Sequence, residues 1–266
     1  MSIKLIAVDL DGTLLNDSLA LTDLNKAAIC NLLDKGIHVV FSTGRTYQAA
    51  KQYAEEFVYD MPLITYNGAL IKRTYSEEIL FSKKIAYSNT KEILRIGEAN
   101  SIYTKMYIDD VLYVKEESEQ TIKFVKNHKI NYKVVGKLSE NIHKEPYMIV
   151  FIDHENRIKT IRAEIDKYTV LPYTLSTPYS LEFLPDGISK GEGLRRVAKS
   201  LKIRKKEILA IGNSLNDLDM LRWAGIGVAM NNSDIELKEH WNLISKYNNN
   251  ENGVAKIIQE YCRYHK

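Results

Sequence analysis

The sequence predicts an α/β protein built on a parallel sheet, with an α+β module inserted into it. Three observations predict this fold. A short run apolar on both faces opens the chain, strand-like and helix-like segments then alternate through its first third, and between about Ser82 and Pro185 that rhythm is replaced by hairpin patterning before it resumes.

Ile3 to Val8 is apolar apart from Lys4 and reads as a strand buried on both faces. Thr22 is placed to cap a helix whose apolar positions Leu24, Ala27, Ala28, Leu32 and Leu33 recur at helical spacing, and Gly36 stops it. Ile37 to Phe41 reads as a second strand, Arg45 to Phe57 as a second helix and Leu63 to Tyr66 as a third strand. In the inserted stretch, Ile102 to Ile108 and Val111 to Lys115 flank Asp109-Asp110, the pattern of an antiparallel hairpin. A helix over about Glu116 to His128, a strand at Tyr147 to Ile152, a helix from Glu155 and two closing strands are expected to follow. After Pro185 come a helix from Lys190, strands at Ile208 to Ile211 and Ile226 to Ala229, a loop at Asn248 to Asn252 and a last helix.

With 266 residues, 45% of them hydrophobic and 27% charged, the chain can bury one large core, or one core and a smaller inserted domain. The 37 basic and 34 acidic residues nearly balance, so the dense basic stripe that a nucleic-acid partner needs is absent. No apolar run is long enough to span a bilayer and no secretion-signal pattern opens the chain, so no membrane partner is expected. Cys30 and Cys262 lie near opposite ends with neither metal-type spacing nor a disulfide framework, which suits a reducing compartment and predicts a cytoplasmic protein. The six His residues form no i, i+4 pair, which argues against zinc. The run Lys202 to Lys206 reads as a solvated helix end.

The sharpest chemical signal is Asp9-Leu10-Asp11-Gly12-Thr13-Leu14, directly after the first strand. Ligands of open parallel sheets collect beyond the carboxyl ends of the strands. Two carboxylates one residue apart there call for a cation, and magnesium, which favours oxygen ligands, also draws in phosphate. Asp9 then stands as a nucleophile toward phosphorus and Asp11 as the acid that protonates the leaving oxygen and later activates water. Gly12 lets the chain turn close to the ligand.

DLDGTL resembles the first motif of the haloacid dehalogenase superfamily, and further motifs follow in order. Ser42-Thr43-Gly44-Arg45 resembles the second, in which the hydroxyl assigned to Thr43 and nearby main-chain N–H groups hold the phosphoryl. Taken alone, a Thr-Gly turn equally suits a helix N-cap. Lys190, in Gly187-Ile188-Ser189-Lys190-Gly191, resembles the third-motif lysine, although a cation at a helix start opposes the helix dipole. Gly212-Asn213-Ser214-Leu215-Asn216-Asp217 resembles the fourth motif, GDxxND, but has Asn at 213 where the family commonly has an acid. Ile64-Thr65-Tyr66-Asn67-Gly68-Ala69 and Leu181-Glu182-Phe183, followed by Pro185 and Gly187 to Gly191, point to the Cof-type, sugar-phosphatase-like branch.

The resemblance implies a Rossmann-like core at residues 1–81 and 185–266 and an α+β cap at 82–184. It implies a magnesium-dependent phosphatase acting on a small phosphorylated metabolite, such as a sugar phosphate, through an aspartyl-phosphate. Asp9, Asp11 and Lys190 are then catalytic, and Asp9, Asp11, Asn213 and Asp217 hold Mg2+. Leu10, Thr43, Gly44, Arg45, Asn67, Lys190 and Asn216 surround the phosphate, with Asn67 equally readable as a turn into the following hairpin. A phosphomutase stays open as an alternative, and so does a catalytically silent binding protein, which Asn213 would suit. Asp11 argues against a dehalogenase.

Overall fold

A computed structural model describes residues 2–168 and 172–262. The opening run forms β1 (Leu5–Val8), buried along its whole length. Thr22 accepts a hydrogen bond from the Asn25 N–H and so starts α1 (Asp23–Asp34), and Gly36 ends it at a left-handed φ of +74°. Next come β2 (His38–Ser42), α2 (Tyr47–Ala54), β3 (Pro62–Thr65) and the hairpin β4 (Leu70–Arg73) and β5 (Ile79–Ser82). The cap of α2 is Thr46, which leaves Arg45 in the preceding turn, two residues outside the helix expected to include it. That position lets the Arg45 side chain swing back toward the end of β1.

The inserted stretch contains α3 (Tyr87–Ala99), β6 (Tyr103–Ile108), β7 (Val111–Val114), α4 (Glu119–His128), β8 (Asn131–Val134), α5 (Leu138–Asn141), β9 (Met148–Ile152), α6 (Glu155–Tyr168), β10 (Tyr173–Thr174) and β11 (Ser180–Phe183). Its strands form a separate sheet in the order β10-β11-β9-β6-β7-β8, antiparallel except for β7 with β8. The chain then returns as α7 (Lys190–Ser200), β12 (Ile208–Gly212), α8 (Leu218–Trp223), β13 (Ile226–Ala229), α9 (Ile235–His240) and α10 (Gly253–Tyr261). The expected loop at Asn248 to Asn252 contains one 3₁₀ turn, because Asn248 and Glu251 cap it reciprocally.

The first sheet runs β13-β12-β1-β2-β3-β4-β5, and its first five strands are parallel. In this register Val8 lies opposite both Ile211 and Phe41. The residues that follow β1, β2 and β12 therefore emerge on one edge, where Asp9, Thr43 and Asn213 meet.

The two sheets share apolar packing. Tyr66 is fully buried, stacks on Tyr147 at 5.1 Å and tilts against Tyr107 at 6.0 Å. Asp109 and Asp110 make the β6–β7 turn with both φ values positive, and Asp110 does more than turn the chain. Its Oδ1 accepts hydrogen bonds from the Tyr47 N–H at 2.9 Å and the Tyr66 hydroxyl at 2.6 Å, tying the inserted layer to the start of α2. Among the described residues no helix is long and apolar enough to cross a membrane.

Replacing Asp110 with Ala strands the buried Tyr66 hydroxyl and the first N–H of α2, and is expected to cost about 1–3 kcal/mol. Asp110→Asn, which tolerates the same turn, should cost less. Urea titration of the three proteins checks this, and a loss below ~0.3 kcal/mol in Asp110→Ala would show that the contact does not hold the layers together.

Candidate active site

Asp9 continues the path of β1, its N–H donating to the Ile211 carbonyl at 3.0 Å. Lys190 enters from the first turn of α7, which Ser189 caps. Its Nζ donates to Asp9 Oδ1 at 2.7 Å and to Asp217 Oδ1 at 2.6 Å, and all three side chains are almost wholly buried. The second Asp217 oxygen accepts the N–H groups of Asn213 at 2.8 Å and Ser214 at 3.1 Å. Burial pushes the Asp9 carboxyl well above its ordinary range; Lys190 opposes that shift, while Asp217 and Asp11 add to it. Burial alone would depress the Lys190 ammonium, but Asp217 and Asp9 outweigh it and hold it well above its ordinary value.

The other Asp9 oxygen belongs to a second cluster. Asn213 Oδ1 lies 3.1 Å from Asp9 Oδ2 and 2.7 Å from the Asp11 main-chain oxygen, and it accepts a hydrogen bond from the Thr13 hydroxyl at 2.8 Å. Three acceptor oxygens this close repel one another unless a cation joins them, or unless the amide turns over and its two N–H groups donate among these neighbours. Adjacent ligands of octahedral magnesium stand about 3 Å apart, which follows from bonds of about 2.1 Å. The spacing here fits that ion, and it fits equally the turned amide donating its N–H groups to these oxygens. Among the described residues no group of three His, Cys, Asp or Glu side chains gathers to hold a metal, because two of these oxygens come from a carbonyl and an amide. Gly12 permits the approach: its φ is +70°, and a Cβ there would stand 2.6 Å from the Asn213 amide nitrogen.

Two residues expected around the metal sit differently. The Asp11 carboxylate faces Arg45, which donates from Nε at 2.7 Å and from Nη2 at 2.6 Å, so Asp11 reaches the oxygen cluster only through its main chain. Asp217 spends both oxygens on Lys190 and two N–H groups and stands behind the cluster. Arg45, expected at the phosphate, is committed to Asp11 and to the Tyr53 hydroxyl. Burial raises the Asp11 carboxyl, but the Arg45 hydrogen bonds and charge outweigh it and hold Asp11 below the ordinary range.

Thr43 and Gly44 lie beside Asp9 in one cavity of about 420 Å³ between the sheets, which Asp11, Arg45, Lys190 and Asn216 also line. The Thr43 hydroxyl accepts the Arg45 N–H at 3.1 Å, and the Leu10 side chain packs into the core, leaving only its main chain near the site. Asn67 takes a left-handed φ of 52° after β3, so it does make the turn. Its side chain also joins the layers, donating to Glu182 at 2.5 Å and accepting from Asn216 at 3.1 Å.

A family model described as a haloacid dehalogenase-like hydrolase matches residues 6–258. The chain belongs to this family. It is 32% identical over 263 residues to the 5-amino-6-(5-phospho-D-ribitylamino)uracil phosphatase YcsE of Bacillus subtilis, covering 98% of this chain and 96% of that protein. The phosphatase YwtE of the same organism and the same named activity is 30% identical, with 97% of each chain covered. A solved haloacid dehalogenase-like hydrolase from B. subtilis superposes with a TM-score of 0.89 at 25% identity, covering 97% of this chain and all of that one.

Within this haloacid dehalogenase-like chain, motif residues scattered from Asp9 to Asp217 converge because three parallel strands end together. The inserted layer contributes Lys105, Phe124, His128 and Glu182 to the cavity, and the sequence reading gave none of them a role. Only Glu182 stood in a recognised motif; the others have no spacing signal, since the register of the second sheet places Lys105 and a helix turned onto the site places Phe124 and His128.

Lys190→Met leaves Asp9 and Asp217 buried without their cation, and the expected loss of stability is about 3–5 kcal/mol. Adding Asp217→Asn to it should recover part of that loss. Thermal and urea unfolding give the values; a Lys190→Met protein within ~1 kcal/mol of wild type would contradict the triad's structural weight.

Proposed function

We propose that the chain hydrolyses small phosphomonoesters, sugar phosphates or related metabolites, with magnesium and through an aspartyl-phosphate on Asp9. The observation that carries this reading is the division of the Asp9 carboxylate, which lines the cavity: one oxygen lies against Lys190, the other beside the Asp11 carbonyl and the Asn213 amide. Asp9, the Asp11 carbonyl and Asn213 would hold the ion. Magnesium, when bound, supplies positive charge that offsets the phosphoryl oxygens.

In this reading Asp9 Oδ1 bonds to phosphorus as the bond to the leaving oxygen breaks, and Asp11 gives that oxygen a proton. Water then attacks phosphorus, Asp11 takes its proton, and phosphate leaves with the Asp9 carboxylate restored. The Thr43 hydroxyl and the main-chain N–H groups at Leu10 and Gly44 receive phosphoryl oxygens, and Lys190 balances the charge on Asp9. Because Arg45 holds Asp11 ionised, proton donation requires Asp11 to exchange that fork for the leaving oxygen.

Residues 1–81 and 185–266 would carry the chemistry, and 82–184 would act as the cap that excludes water and selects substrate. Two relatives are named for a phosphate ester carried on a ribityl chain, which supports a small phosphorylated metabolite as substrate.

Phosphate release from an aryl phosphate tests the reading. Asp9→Asn should lower the rate at least ~10³-fold with the fold intact. Asn213→Asp restores a carboxylate to the oxygen cluster and should lower the half-saturating magnesium concentration about tenfold, equal to roughly 1.4 kcal/mol. An active Asp9→Asn protein sinks the nucleophile assignment, and an unchanged magnesium requirement in Asn213→Asp removes Asn213 from the metal set.

A further inference from the structure

The face of the second sheet above Asp9 has a register that lines up three side chains. Lys105 on β6 pairs with Val150 on β9, and Val150 pairs with Glu182 on β11. Neighbouring strands stand about 4.8 Å apart, so the Lys105 and Glu182 backbones are roughly 10 Å apart with Val150 between them. Residues two places along the strands share this face, and on β6 and β9 they are apolar or aromatic: Tyr107, Met148 and Ile152 all line the cavity. Between Lys105 and Glu182 the β6 and β9 side chains of this wall are therefore apolar or aromatic, while Ser176, Thr177 and Ser180 line the cavity at the Glu182 end.

These ends are not equivalent. Glu182 is already satisfied, accepting hydrogen bonds from Asn67 and from the Ser176 hydroxyl. The other carboxylates of the cavity are satisfied too, Asp9 by Lys190 and Asp11 by Arg45. Lys105 is 5% exposed, and among the described residues no carboxylate lies within ion-pair distance of it and no hydrogen bond reaches its ammonium. Its close neighbour is the Phe124 ring, 3.3 Å from the ammonium to the ring centroid. A ring face attracts a cation but leaves its N–H donors without acceptors, and a buried unpaired charge is costly. Burial pushes the Lys105 ammonium down to about 7, with Glu182 opposing the shift only in part; an anion bound beside it would reverse that shift.

We propose that Lys105 receives a second acidic group on the substrate, so that the site prefers phosphomonoesters whose leaving portion carries a carboxylate or a further phosphate. This rests on the phosphatase reading for the position of the first phosphate. A neutral hydroxyl would give Lys105 an acceptor but no countercharge, which is why an acid is the better match for this buried cation.

Two matched pairs of probes test the inference by binding, independently of turnover: glucitol 6-phosphate against 6-phosphogluconate, and fructose 6-phosphate against fructose 1,6-bisphosphate. Calorimetry on the Asp9→Asn protein with magnesium gives each dissociation constant. At least one acidic partner is expected to bind ~10-fold or more tightly than its neutral counterpart. The first pair isolates a carboxylate and the second a further phosphate. That preference should vanish in Asp9→Asn/Lys105→Met and persist in Asp9→Asn/Lys105→Arg, which keeps the charge. No preference in either pair, or a preference that survives Lys105→Met, overturns the proposal. The pairs measured without the Lys105 change suffice for the first of these outcomes even if the Met variant fails to fold. Aryl phosphate turnover by wild type is scored separately: turnover without acid preference removes the Lys105 inference alone, and acid preference without turnover removes the phosphatase reading alone.

Discussion

Two buried carboxylates at the ends of adjacent strands, joined by one buried lysine, are the constraint on which the rest of this structure depends. Asp9 follows β1, and Asp217 lies beyond β12, the strand paired with β1 in register. Neither carboxylate is tolerable in this setting without Lys190. The lysine must arrive at the first turn of a helix, where the backbone dipole disfavours it, so two charge-assisted hydrogen bonds have to outweigh both the dipole and desolvation. Where α7 begins is therefore set by electrostatics as much as by its Ser189 cap. Gly191 keeps α7 close to α8, since a Cβ there would stand 2.3 Å from the Asp219 carboxylate.

The same constraint explains how a chain interrupted by an inserted layer keeps one site. Everything between β5 and α7 leaves the first sheet and returns before Lys190, so the strand ends are undisturbed. The second sheet is then held over that edge at defined points: Asp110 on the start of α2 and on Tyr66, the Tyr66–Tyr147 stack, and the chain of hydrogen bonds from Ser176 through Glu182 and Asn67 to Asn216. Because Asn67 touches both Glu182 from the second sheet and Asn216 from the fourth motif, a shift of one layer is felt at Asn216 on the cavity lining. Three of the seventeen Tyr residues thus find a use in this interface.

Much of this was legible in the sequence, for identifiable reasons. The β1 run, the Thr22 cap, the Gly36 stop and the Asp109-Asp110 turn are local signals, and each appears in the structure where its chemistry puts it. The motif residues were legible as types at intervals. Their partners were not. That Arg45 would grip Asp11, that Asp11 would offer its carbonyl to the oxygen cluster, and that Asp217 would stand behind Lys190 all depend on turns between distant segments. The helix α3 escaped notice because Ala86 gives it no side-chain cap, and β8 because three of its four residues are exposed. Lys105 reads as an ordinary strand lysine until the register of β6, β9 and β11 places it over the site.

The central claim is that Asp9, oriented by Lys190, becomes covalently phosphorylated. The most direct test is to quench a reaction with a ³²P-labelled aryl phosphate, whose departure needs little proton assistance, in acid within a single turnover, using Asp11→Asn to slow breakdown of the adduct. The modified residue is located in a parallel sample by peptide mapping after borohydride reduction, which expels the phosphate and leaves homoserine. The account predicts an acid-stable, hydroxylamine-labile label on Asp9, seen as its conversion to homoserine. Phosphate released with no label on the protein, or a label on any other residue, would contradict it.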